Sequence, residues 1–245
     1  MSAQAIFART KGTIAWPRVS PYYYYYGENM VDLNDMLQIP AHKVLLQLSA
    51  RYQFRWNWGL RYTILTGEIA GGGYNWSNQQ FQFGPGYGGY FYYGQNLNSK
   101  WEHQYHRLGL VYDAIKTCST NASVFADWVH TEDKISVSCS YCYNANAIFS
   151  KGGDSAMAGF EFRQCLKTAP NGGSLSCDNK AGFIFGDDVE GWDLETGLRY
   201  AIPVNCGRWG YVKGGYRFIE VKKSQPDFYW KNTIDGGFLE AGFIF

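Results

Sequence analysis

No stretch of this chain approaches 18 consecutive apolar residues, so a transmembrane helix is excluded. Membrane strands are not excluded, because about 9–11 tilted residues suffice and their signal per segment is weak. An excess of one charge is missing too. The 22 Lys and Arg against 21 Asp and Glu leave a net charge of +1, and with it no electrostatic case for nucleic acid. A secretory leader is not visible. Ser2-Ala3-Gln4-Ala5 has the small residues of a cleavage region, but no apolar run precedes it. The chain is read as a mature form, signal peptide absent, with an added Met1. Neither repeats nor linkers divide the 245 residues, which suit one all-β domain over 1–245.

Motifs for catalysis and metal binding are also scarce. Glu102-His103-Gln104-Tyr105-His106 is the only histidine cluster. Its two histidines are three apart, hence on opposite faces of a strand. Asp127 and His130 with Glu102 or Ser123 can be assembled on paper, but no local motif orders them. The expectation is a protein without cofactor, metal or catalytic residue. Six cysteines fit an oxidising compartment. Cys165 and Cys177 flank the turn Pro170–Gly173, a spacing that fits a cross-hairpin disulfide. Cys139 and Cys142 form a CxxC, but residues three apart on a strand face opposite sides. No His follows Cys142, so c-type haem attachment is out. Free or structural thiols fit better than zinc.

What is present is alternation. From Val44 to Ile64 every even position is apolar or aromatic, while the odd positions from Lys43 to Thr63 are polar or Gly except for Leu45. A period of two is strand. The run is too long for one strand and predicts a hairpin with its turn at Arg55-Trp56-Asn57. The same pattern recurs where Trp192, Leu194, Leu198, Tyr200 and Ile202 oppose Asp193, Glu195, Gly197 and Arg199. Half-polar strands also account for a mean hydropathy of −0.33.

Two barrels fit this pattern: a soluble, lipocalin-like one with its apolar face inward, and a membrane one with that face toward lipid. The aromatics favour the second. Val44, Leu46 and Leu48 are aliphatic, whereas Tyr52, Phe54, Trp56 and Trp58 gather at the turn, as rings at headgroup depth do.

The last ten residues, Gly236 to Phe245, place Leu239, Ala241, Phe243 and Phe245 on one parity. A final strand that alternates and ends on Phe resembles the last strand of bacterial outer-membrane β-barrel proteins. The resemblance is to the class and to no particular family. It implies an outer-membrane location, contact with the lipid bilayer and lipopolysaccharide, and a signal in Leu239, Phe243 and Phe245 read by the barrel insertion machinery. It also implies an up-and-down antiparallel barrel with an even strand count. Twelve strands are preferred, with Phe81–Tyr93 supplying the twelfth, and ten follow if Ala122–Tyr143 is one long strand with a bulge. Apolar parity changes across Thr131–Lys134 and again near His106-Arg107, which a turn or a bulge would explain. Two non-alternating segments, about 17–42 and 71–98, are expected as long outward loops, the first with a short helical face at Val31, Leu33, Met36 and Leu37.

The polar parity carries Lys43, Arg51, Arg55, Arg61, Arg107, Arg199, Lys213 and Arg217, together with Asp113, Glu161, Asp193, Glu195 and Glu240. Unpaired arginines around water would make an anion-favouring pore. Arginines paired with carboxylates would make a plug, which ten strands favour over twelve. The leading expectation is a narrow, porin-like passive channel for small polar or anionic solutes. The alternative is a non-conducting barrel whose aromatic loops, above all Tyr22, Tyr23, Tyr24, Tyr25 and Tyr26, bind a surface polysaccharide or a protein partner. An outer-membrane hydrolase is the third.

Overall fold

Ten long antiparallel strands close on themselves in a computed structural model of the chain. The structure describes all residues except 18–27, 75–80, 84–88, 92–93, 140–145, 171, 206, 226–227 and 245. The wall runs β1 (Ser2–Pro17), β3 (His42–Gln53), β4 (Trp58–Tyr74), β7 (Asn96–Lys116), β8 (Thr120–Cys139), β9 (Asn146–Thr168), β10 (Ser174–Phe185), β11 (Val189–Asn205), β12 (Arg208–Gln225) and β13 (Phe228–Ile244). Closure comes from β13 pairing with β1, Ser2 opposite Gly242 through Ala15 opposite Tyr229. Closure leaves no unpaired edge in the lower wall. β2 (Glu28–Asp32) adds to β1 above β3, and β5 (Phe81–Phe83) pairs with β6 (Gly89–Phe91) in a small separate hairpin.

The preferred count of twelve is therefore corrected to ten. The cause lies in β8, which passes through Thr131–Lys134 without a break or a register shift. Its inward parity stays odd throughout, with Ser123, Phe125, Asp127, Val129, Thr131, Asp133, Ile135 and Val137 all buried. What changes is the chemistry of the two faces. In the lower half the outward residues are Val124, Ala126 and Trp128, and above them come His130, Glu132, Lys134 and Ser136. β7 does the same, with Leu110 and Leu108 outward below and His106, Gln104, Glu102 and Lys100 outward above. An apolar belt thus girds the lower half, and a polar wall rises above it around an apolar interior.

The belt is wide. Val44, Leu46, Leu48, Leu194, Leu198 and Phe243 are all exposed on it, while Arg61 and Arg199 on the other parity are buried. It covers about eleven positions on β3, β9 and β11, the length a tilted strand needs to cross a bilayer. Short turns at 54–57, 117–119 and 169–173 lie at the end that carries the N-terminus.

The upper interior is packed by side chains from the wall, among them Trp101, Tyr105, Val129, Ile135, Val221, Trp230 and Ile234. The first expected loop contributes the rest. Its described part does not project outward and is not helical: β2 extends the wall, and residues 33–41 fold inward. Leu33, Leu37 and Ile39 are buried in the core. Each such side chain contributes roughly 1.5–3 kcal/mol of burial. The turn is set by Asp32, whose Oδ1 accepts from the N–H groups of Asn34 and Asp35, both at 2.8 Å. Gly71 on β4 makes room for it, since a Cβ there would sit 2.2 Å from the Gln38 carbonyl oxygen. The second expected loop is shorter than 71–98 at both ends, because β4 reaches Tyr74 and β7 starts at Asn96. Phe91 at the end of β6 is buried in the same core.

Candidate functional site

Below this apolar stopper, with a second and smaller polar group nearer the lower mouth, the lumen is crossed by a network of charged and amide side chains. It starts at Asp193, fully buried on β11. Asp193 accepts from Arg107 at 2.8 Å, from Lys180 at 2.6 Å and from Arg217 at 3.2 Å. Arg107 also lies 3.1 Å from Asp127, and Arg61 Nε donates to Asp127 at 2.9 Å. Arg61 reaches on to Glu161, and Arg51 joins Glu161 to Asp113. On the other side Arg217 donates to Gln4 at 2.9 Å and to Gln47, and lies 3.8 Å from Glu195. Glu195 accepts from Lys213 at 2.5 Å. Nearer the lower mouth, Asp178 accepts from Arg163 at 2.9 Å and lies 3.7 Å from Arg199. The Arg199 guanidinium sits 3.7 Å over the Tyr211 ring, and Tyr211 donates to Glu240 at 2.7 Å. The Asp193 network draws on nine wall strands, all but β13, which enters through Glu240 in the lower group.

The alternation places these groups inward, and a glycine lets them close up. A Cβ on Gly109 would lie 2.1 Å from Asp127 Oδ1 and 2.3 Å from the Ala126 carbonyl oxygen. Only glycine on β7 lets Asp127 lie flat against the wall beneath Arg61. Among the described residues no group of three His, Cys, Asp or Glu is placed to hold a metal.

Nine of the thirteen expected lumen residues belong to the Asp193 network, and Arg199 and Glu240 to the lower group. Lys43 and Arg55 belong to neither. Lys43 is exposed at the upper end of β3, above the network, and Arg55 lies in the hairpin turn rather than on a strand. Sequence reasoning missed Asp127 as a lumen group, and Gln4, Gln47, Arg163, Asp178 and Lys180. The signal for the last two was there: Asp178, Lys180 and Gly182 alternate with Ala181, Phe183 and Phe185.

Other expected sites come apart. Asp127 faces the lumen while His130 faces outward and bonds Asp154 at 2.8 Å. Ser123 donates to Asp113, and Glu102 pairs with Lys100 on the outer wall. No acid–base set forms from them. Cys165 and Cys177 are free. A register shift between Leu175 and Ser176 sets Cys165 opposite Ser176 and Cys177 opposite Gln164, so the two cysteines fall on different faces. Cys139 is disulfide-bonded. Tyr22–Tyr26 and Phe245 lie outside the described residues. Leu239 and Phe243 are exposed on the belt.

One polar island sits inside the apolar upper half. His103 Nδ1 meets Asp133 Oδ1 at 2.7 Å, Trp101 Nε1–H donates to the same oxygen at 3.1 Å, and Lys223 lies 3.5 Å from Asp133 Oδ2. Burial pushes the Asp133 pKa up, but the charge and hydrogen bond of His103, the Lys223 charge and the Trp101 donor outweigh it, and the carboxyl titrates below its ordinary range. A depressed carboxyl stabilises the fold above its unfolded pKa and loses that contribution as pH falls through the folded one. The upper half should therefore loosen as pH falls below about 4. Amide exchange on the upper parts of β7 and β8 reads this. Protection that is the same at pH 3 and pH 5, after correction for intrinsic rates, would refute it.

No family model matches the chain, and no curated protein matches it. Solved structures do. The transport unit of the autotransporter AIDA-I from Escherichia coli is 10% identical, with a TM-score of 0.44 over 100% of this chain and 90% of that one. Ail, the attachment invasion locus protein of Yersinia pestis, is 11% identical, with a TM-score of 0.35 over 98% and 97%. The Pseudomonas putida toluene transporter TodX is 9% identical, with a TM-score of 0.34 over 99% and 88%. These neighbours are bacterial outer-membrane β-barrels.

Proposed function

We propose that this protein is an outer-membrane barrel that conducts no solute and acts as a rigid pedestal, raising a polar upper wall and its loops toward a surface partner. One observation carries the reading: the lumen network ties together nine of the ten strands, with Asp113, Asp127, Glu161, Asp193 and Glu195 each held by a cation from another strand. A second barrier, the inward segment with Leu33, Leu37 and Ile39, lies above it. A paired network of this kind fixes geometry and leaves few charges to solvate a passing ion. The apolar belt supports the membrane setting, since residues that face lipid must be apolar while the interior can be polar. Contact with lipopolysaccharide, reading of Leu239, Phe243 and Phe245 by the insertion machinery, and partner binding by Tyr22–Tyr26 belong to this proposal.

The channel reading requires an open bore with unpaired cations, and Arg51, Arg61, Arg107 and Arg217 each have a carboxylate partner. Purified protein reconstituted in a planar bilayer is expected to give no steady current. A reproducible unitary current with anion over cation preference, weakened by high salt through screening, would restore the channel.

A further inference from the structure

The hydrogen-bonded wall is closed below and split above on one side of the barrel. β3 and β4 pair from Gln53 opposite Gly59 up to Leu46 opposite Thr66, and there their ladder stops. Each strand keeps its other neighbour. β3 stays with β1 as far as His42 opposite Arg9, and the Thr10 N–H then donates to the Ala41 carbonyl. β4 stays with β7 as far as Tyr74 opposite Asn96. The chain above β3 turns inward and lies against the inner face of β4, where a Cβ on Gly71 would meet Ile39 Cα at 2.9 Å. β2 joins β1 only higher up, from Asp32 opposite Thr13, and pairs with no other strand of the wall. The upper part of β4 is therefore an edge.

At the foot of β4 the Trp58 carbonyl accepts from the Phe54 N–H on the β3 side, and the Asn57 carbonyl accepts from the Asp113 N–H on the β7 side. Main-chain groups of successive residues point to alternate sides of a strand, and neither ladder of β4 carries a register shift. The N–H and C=O groups of Glu68, Ala70 and Gly72 thus point away from β7, and among the described residues nothing bonds them. All three residues are exposed.

An edge of this kind is a template for another strand, and proteins usually blunt it with lysine, proline or a bulge. The run from Gly67 to Gly73 has none of these. Its one charge, Glu68, is drawn back over β7 by Lys100 at 3.1 Å. Backbone donors and acceptors repeating at every second residue match one kind of ligand, an extended polypeptide. Ala70 and Gly72 add little side chain of their own, which leaves room for bulky side chains opposite them on an added strand. The edge begins four residues above Ile64, the last belt residue of β4, so it stands roughly 10 Å higher on a tilted strand and clear of the belt.

We propose that the upper edge of β4, centred on Ala70, binds an extended segment of a partner protein as an added strand. The proposal deepens the pedestal reading by giving its surface partner a chemistry, and it rests on the membrane orientation given above but not on the lumen being closed. The test uses the whole protein in lipid nanodiscs. The probe is a fluorescently labelled peptide with the sequence of residues 96–104, the run of β7 that pairs with this stretch of β4 on its other side. Saturable binding of one peptide per barrel, read by anisotropy, is expected. N-methylation of the peptide at the positions of Ser99 to His103 removes its backbone donors and should weaken binding at least tenfold. Ala70→Pro removes a donor that no ladder uses, so the barrel should melt unchanged and bind the peptide at least tenfold more weakly. Ala70→Ser keeps the donor and should bind as the unaltered protein does. Should Ala70→Pro not fold, the methylated peptide decides alone. Absence of saturable binding, equal binding of the methylated peptide, or equal binding by a folded Ala70→Pro would each overturn the proposal. So would a dimer that the peptide cannot displace and that Ala70→Pro abolishes, since a second copy would then hold the edge. Conductance measured on the same preparation separates the two ideas: a silent barrel without binding sinks only the strand site, and a conducting barrel with binding sinks only the pedestal.

Discussion

Asp193→Leu should cost about 3–5 kcal/mol of barrel stability, the size expected when one partner of a buried ionic set is removed and its cations stay behind. Asp193 has no exposed surface and accepts from Arg107, Lys180 and Arg217. Removing the carboxylate leaves Arg107 with Asp127 and Arg217 with Glu195 as their remaining carboxylate partners, and Lys180 with none within 4 Å among the described residues. Their mutual repulsion adds to the lost hydrogen bonds. Equilibrium unfolding in denaturant from vesicles measures the loss. The double change Asp193→Leu with Lys180→Met should recover part of it, because one orphaned charge goes with its partner. A loss below about 1 kcal/mol would be the behaviour of solvated, screened pairs. That outcome would mean a wet lumen, and it would return the functional question to the channel.

Such a network also marks where sequence reading stops. Parity alone turned Arg61, Arg107, Asp193 and Glu195 inward. It could not say that Arg61 meets Asp127, 66 residues away, or Glu161, 100 residues away. Those pairings depend on the stagger and closure of the barrel, which alternation does not encode. Whether the arginines line a pore or fill it is a question about partners, and so the function stayed open at that level.

The exchange of face chemistry was legible as a signal and was assigned the wrong cause. Between Leu108 and His106, and again between Trp128 and His130, the outward residues turn polar. The natural reading of an apolar set that changes parity is a broken or bulged strand. A strand that leaves an apolar environment and continues into water does the same without any irregularity. Its outward face becomes polar, its inward face becomes the core of a water-exposed barrel, and its hydrogen bonds continue. One extra strand of the twelve-strand expectation came from cutting one such strand in two; the other was assigned to Phe81–Tyr93, where β5 and β6 pair with each other outside the wall. The inward fold of residues 33–41 was half visible. Val31, Leu33, Met36 and Leu37 declared an apolar surface in a segment otherwise expected to be loop. Their spacing fitted a helical face, and nothing local told that Gly71 leaves space for the segment on the inner wall.

Leu46→Arg decides the setting of the belt, because the two settings predict different magnitudes. Leu46 is 59% exposed between Val44 and Leu48 on β3, and no charged side chain shares its outward parity between them. If the belt faces lipid, an arginine there near mid-depth should cost roughly 2–4 kcal/mol, since the guanidinium must be dragged out of water or drag water in. If the belt faces water, the same change removes an exposed leucine and should cost within about 0.5 kcal/mol of nothing. Ser136→Arg supplies the internal comparison. It sits on the same outward face of the wall, above Trp128 on β8, where the neighbours Lys134 and Lys100 already carry charge. Its cost should be small in either setting. Unfolding of the three proteins from vesicles of one composition measures the differences directly. A large penalty at Leu46 with none at Ser136 places the bilayer on the lower half of the barrel. Equal and small penalties at both would remove the membrane from the account, and with it the pedestal.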